Sequence, residues 1–155
     1  MRRYAAVLVA VLCTAVNAWT ESRVPIVAVI PFEAAGVAQD DVDSFAARLA
    51  EELAASGTVS MADRRAVDAL VARQGLSASE LIDAERAAEF LAQVGADYLA
   101  VGKLFAVCTS AGALVTLIGA NPATVSIAAR QAESMDALMA AVPGLCAELL
   151  ESMVK

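Results

Sequence analysis

The side chains that could carry chemistry are few. They are three cysteines (Cys13, Cys108 and Cys146), an acidic cluster at Asp40, Asp41 and Asp43, the pair Asp63-Arg64, and Lys103 beside Gly102 in an otherwise apolar run. There is no histidine, which removes the commonest general base and the commonest metal ligand. Two cysteines without histidine or a CxxC pair do not make a zinc site. Cys108 would be a nucleophile only if a neighbour lowered its pKa, and Ala106, Val107 and Thr109 offer no such group. A packed cysteine, or one bridged to Cys146, is the cheaper reading, although spacing alone does not decide the pairing. The acidic cluster lacks both the glycine and the closing glutamate of a calcium loop. It suits the first turn of a helix in water. Asp63 reads as a helix cap, with Arg64 and Arg65 solvated or paired to a carboxylate. Gly102 fits a bulge or a close backbone approach, and Lys103 points out at one face of its strand or snorkels along it. The expectation is therefore no catalytic residue, no metal and no cofactor.

These residues are spread over elements organised around one stretch, Val24-Pro25-Ile26-Val27-Ala28-Val29-Ile30-Pro31-Phe32. A β-branched run that is apolar on both faces predicts a central strand covered on both sides, ending at a turn over Glu33-Ala34-Ala35-Gly36. Asp40 to Ser56 has helical spacing, with Val42, Phe45, Ala46, Leu49 and Leu53 on one face. Thr58 to Ala62 predicts a second strand. Asp63 caps a helix that stops at Gly75, Ser77 and Glu80 have capping-box spacing, and Asp83 starts a further helix that stops at Gly95. From Ala96 the period changes to that of strands. Tyr98 to Cys108 is one, and Leu114 to Ile118 with Thr124 to Arg130 form a hairpin around Asn121-Pro122. Ser134 caps the last helix, which Pro143 should kink or restart. The order β-α-β-α-(α)-α-β-β-β-α predicts an α/β (α+β) fold, a mixed β-sheet with helices packed on both faces.

The first residues stand apart. A basic head, Met1-Arg2-Arg3-Tyr4, precedes the apolar run Ala5 to Ala15 and the small-residue site Val16-Asn17-Ala18. That layout is a signal peptide over residues 1–18, too short in its apolar part to span a membrane. One domain over residues 19–155 is expected to follow, in the periplasm. Cleavage before Cys13 would instead give a lipid anchor and association with the outer membrane, but Leu12 is bulky for that cut. Loss of Arg2 and Arg3 makes the chain two charges more negative than its formal −7. Such a domain repels phosphates and anionic head groups, which argues against nucleic acid as a partner.

Four local sequences carry a resemblance: Val27-Ala28-Val29-Ile30-Pro31-Phe32; Leu49-Ala50-Glu51-Glu52-Leu53 leading into Val59-Ser60-Met61-Ala62-Asp63-Arg64; Gln74-Gly75-Leu76-Ser77; and Val94-Gly95-Ala96-Asp97-Tyr98-Leu99-Ala100-Val101-Gly102. In that order the chain resembles the compact periplasmic domain shared by the CsgG-like, LpoB-like and TolB N-terminal-domain group. The long membrane-inserting hairpins of pore-forming members have no counterpart here. The resemblance implies a TolB N-terminal-domain-like fold and a non-enzymatic cell-envelope protein that binds another envelope protein, in envelope biogenesis, secretion or activation of a peptidoglycan synthase. The alternative is an exported small-ligand carrier or enzyme using a cleft at the sheet edge. For the first reading the expected contact is an edge strand of the late hairpin. Leu114, Thr116 and Ile118 lie on one arm, and Ser126 and Arg130 on the other. An unpaired edge is a template for a partner strand.

Overall fold

The computed structural model describes residues 23–120 and 123–154. The expected leader, Cys13 and the Asn121-Pro122 turn lie outside the described residues. The apolar run forms β1 (Ile26–Val29), which has a parallel neighbour on each side. These are β3 (Ser60–Met61), with Ile26 opposite Ser60, and β4 (Tyr98–Val107), with Val27 opposite Tyr98. Val27, Ala28, Val29 and Ile30 are all buried, which is why the run shows no alternation. β4 runs antiparallel to β5 (Ser110–Ala120), and β5 to β6 (Ala123–Ala132), so the order across the sheet is β3-β1-β4-β5-β6.

Helices cover both faces. On the first lie α1 (Gln39–Ala55), α4 (Met135–Ala140) and α5 (Val142–Val154). Phe45, Leu49, Leu53, Leu138, Leu145 and Leu149 pack there against Val27, Val29, Leu104, Val115 and Leu117. On the second lie α2 (Arg64–Gln74), a 3₁₀ turn at Glu80–Ile82 and α3 (Ala84–Val94). Val67, Leu81, Phe90 and Leu91 pack there against Ala28, Ile30, Leu99, Val101 and Ile118.

The expected caps are in place. The Asp63 carboxylate accepts the Arg65 N–H at 2.9 Å, Asp83 accepts those of Glu85 and Arg86, and Ser134 Oγ accepts that of Ala137. Glu80 closes the capping box by accepting the Ser77 N–H at 2.9 Å. That bond holds the Glu80 carboxyl below its ordinary range, helped by the Ser77 hydroxyl and the Arg86 guanidinium. The last helical stretch breaks at Ala141, and Pro143 sits in the first turn of the restarted α5, where its missing N–H has no partner to lose.

Two features depart from expectation. Glu33–Ala35 is a strand, β2, not a turn. β4 runs well past the end of β1, and β2 fills the vacant side of its ladder, with Glu33 opposite Lys103 and Ala35 opposite Phe105. The turn comes after it, at Gly36, whose φ is +72°. The second departure is that β5 begins at Ser110 and folds back on β4 through Cys108-Thr109. Cys108 adopts φ 56° there, a conformation normally left to glycine or asparagine.

Candidate functional site

Among the described residues the second face of the sheet is only half covered. Three rows of side chains cross it: Leu99–Ile118–Val125, Val101–Thr116–Ile127 and Lys103–Leu114–Ala129. α2, the 3₁₀ turn and α3 bury the β4 end of the first two rows, and the cover stops over β5. Thr116 is 7% exposed, whereas Ile127 opposite it is 62% exposed, Val125 55% and Leu114 40%. Ile82, on the 3₁₀ turn at the rim, and Val107, at the end of β4, are exposed as well. Between rim and sheet lies an open groove of about 210 Å³ lined by Glu33, Ser79, Ile82, Lys103, Leu114 and Thr116.

β6 is inverted with respect to its own core. Three of its four polar residues, Thr124, Ser126 and Arg130, stand on the face covered by α5, together with Ala128, which is buried, while the fourth, Gln131, is exposed on the other face. Its large apolar residues face solvent. Arg130 reaches Glu148 on α5 at 2.7 Å. Ser126, Ile127, Glu148 and Glu151 line a shallow cleft of about 280 Å³ between strand and helix.

Among the described residues β6 is also the long free edge of the sheet. Ala120 donates its N–H to the Asp97 carbonyl at 3.3 Å, so even-numbered residues of β5 turn their backbone groups to β4 and odd-numbered ones to β6. With Leu117 opposite Ser126 and Val115 opposite Ala128, even residues of β6 take those bonds. Val125, Ile127 and Ala129 therefore direct N–H and C=O away from the sheet. The Arg130 guanidinium, donating to the Ala129 carbonyl at 2.8 Å, fits that assignment.

The residues expected at the edge divide. Leu114, Thr116 and Ile118 do not form one, because β5 is paired on both sides; Ile118 and Thr116 are buried and only Leu114 is open. Ser126 and Arg130 do lie on the edge strand. The sequence reading missed Val125 and Ile127. Their alternation with Thr124 and Ser126 was visible, but a core-facing assignment is the default for such a pattern.

Cys108 and Cys146 are free thiols in the structure, the first exposed at the β4–β5 turn and the second buried under α1. The Cys146 Sγ–H points to the Leu49 carbonyl at 3.8 Å. Burial pushes this thiol up to about 11, with the nearby Glu52 carboxylate adding to the shift and Arg48 opposing it. That makes it an inert packing group. Gly102 is explained by an aromatic ring and not by chemistry: a Cβ there would overlap Phe32, as one at Gly112 would overlap Phe105. Lys103 points to solvent. Among the described residues no group of three or more Cys, Asp or Glu is placed to hold a metal ion, and no helix is long and apolar enough to cross a membrane.

Among solved structures, lipoprotein GNA1162 of Neisseria meningitidis is similar at 16% identity and a TM-score of 0.56, over 81% of this chain and 99% of that one. LpoB of E. coli is similar at 15% identity and a TM-score of 0.53, over 68% of this chain and 55% of that one. The LpoB C-terminal domain of Salmonella enterica gives 14% identity and a TM-score of 0.52, over 81% and 92%. At such identities the likeness is one of fold. No curated protein matches the sequence significantly. The family model described as peptidoglycan-synthase activator LpoB matches residues 10–114. With more than half of its length on that model, the chain belongs to the LpoB family.

Proposed function

We propose that this protein is an exported, non-enzymatic component of the cell envelope, a single domain over residues 19–155 in the periplasm, that acts by binding another protein. The partner class is the one in the family's description, a peptidoglycan synthase. The observation that carries the reading is the inverted β6, which turns Val125 and Ile127 to solvent beside the open groove. A strand that places most of its polar residues towards its own helix and its large apolar ones in water suits a surface that is covered by a partner. The groove supports ligand chemistry poorly. Lys103 and Glu33 sit at its rim, and no set of polar groups converges inside it.

The experiment is reconstitution. The chain, purified after export, is added to peptidoglycan synthases of the same cell, and glycan polymerisation is followed with and without it. The expected result is faster polymerisation by one synthase, lost with Ile127→Glu. Specific turnover of an envelope metabolite by the protein alone would overturn the reading.

A further inference from the structure

We infer that the free edge of β6 takes an extended segment of its partner, added as a further strand, whose side chains alternate between apolar and basic. The inference rests on the protein-binding reading above and gives the chemistry of what is bound. Three observations converge on residues 123–128. The first is the backbone: Val125 and Ile127 direct N–H and C=O out of the sheet, and among the described residues no side chain covers them. The cover begins one step on, where Arg130 bonds the Ala129 carbonyl. The second is the absence of the usual defences of an edge. In ten residues β6 carries one charge, Arg130, which is turned back onto Glu148, and no proline.

The third is that the two sides of the edge differ. A strand laid along β6 sits about 4.8 Å away and sends alternate side chains to opposite faces. One set lands beside Val125 and Ile127, on the uncovered apolar half of the sheet, and is stabilised only if it too is apolar. The other set lands over the cleft between β6 and α5, where Glu151 and the Arg130-paired Glu148 stand. Those positions favour lysine or arginine. A second copy of this chain is a poor occupant, because its edge would bring Thr124, Ser126 and one already paired arginine to that cleft, on a body whose formal charge is −7 for the whole sequence and two more negative without Arg2 and Arg3.

The test uses the full-length exported chain and blocked nonapeptides as probes: alternating Val and Lys, alternating Val and Glu, and the Val–Lys peptide N-methylated on alternate residues. The Val–Lys peptide is expected to bind and to shift the amide resonances of Val125 and Ile127. The Val–Glu peptide should bind at least about tenfold more weakly, as expected when several exposed ion pairs become repulsions. Methylation on one set of alternate residues removes the edge bonds and should abolish binding; methylation on the other set should not. Glu151→Lys should weaken Val–Lys binding about threefold and strengthen Val–Glu binding, the scale of one exposed pair.

Equal affinity for both charge patterns, indifference to N-methylation, no binding at millimolar peptide, or self-association of the wild type through β6 would each overturn the inference. If the protein still accelerates a synthase while ignoring these peptides, strand addition falls and the function stands. If it does neither, both fall.

Discussion

Thr116 and Ile127 face each other directly across β5 and β6, yet the first is buried and the second is 62% exposed. The helical cover of the sheet ends between them. On the near side α3 and the 3₁₀ turn close the core over Leu99, Val101 and Ile118. On the far side Val125, Ile127 and Leu114 are left open.

Ile127→Glu should separate function from folding. The side chain is in water, so stability should change by no more than about 0.5 kcal/mol. Under the proposed function, acceleration of a peptidoglycan synthase should be lost. Urea denaturation and the polymerisation assay, run on the same preparation, check both halves.

Gly102→Ala should be disproportionately harmful for one added methyl. Its Cβ would overlap the Phe32 ring, which is buried between β4 and α1 and lies 6.1 Å from the Phe45 ring centroid. Overpacking of this kind costs about 1–3 kcal/mol. Phe32→Ala alone should cost about 3–5 kcal/mol by leaving a cavity. The double variant should be more stable than the sum of the two losses implies, because the methyl then enters that cavity. Urea midpoints of the four proteins decide it.

Asp97 ties the start of β4 to the start of β1. Its carboxylate accepts the Ile26 N–H at 2.8 Å, and its own N–H donates to the Ile26 carbonyl at 2.8 Å. Asp97→Ala leaves the half-buried Ile26 N–H without its acceptor and should cost about 1–3 kcal/mol. Asp97→Asn, which keeps an oxygen, should cost less. Chemical denaturation of both variants measures the difference.

The two cysteines should part company under alkylation and under base. In native protein a maleimide should label Cys108 and spare Cys146, as peptide mapping would show. Cys146 has its pKa raised from 9.0 to about 11, so the folded state holds this proton more tightly than the unfolded one. Its contribution to stability is complete below pH 9 and is lost as pH rises through 9 to 11. Cys146→Ala should flatten that part of the pH–stability curve.

Much of the architecture was legible because its signals are local. Asp63, Asp83 and Ser134 cap helices where their spacing to the next apolar residues predicts, and Gly75 and Gly95 end them in the left-handed conformation. The doubly buried β1 was legible from a run with no polar residue in it. What escaped is tertiary. β2 is three residues long and exists only because β4 outruns β1. The β4–β5 turn is built on Cys108 and Thr109, which carry no turn signal. The free edge was half legible: the late hairpin was foreseeable, but not which of its arms is the edge. Nor was it foreseeable that Val125 and Ile127 face water, because alternation marks two faces of a strand without saying which is covered.

On the proposed reading a partner sits on the uncovered half of the sheet at β6. Site-specific photocrosslinking in the living cell tests it most directly, with benzoylphenylalanine placed at Ile127 and, as a control on the outer surface of α2, at Arg73. The expected result is a covalent adduct from position 127 with a peptidoglycan synthase, identified by mass spectrometry, and none from position 73. An adduct to the synthase from position 73 with silence at position 127 would contradict it.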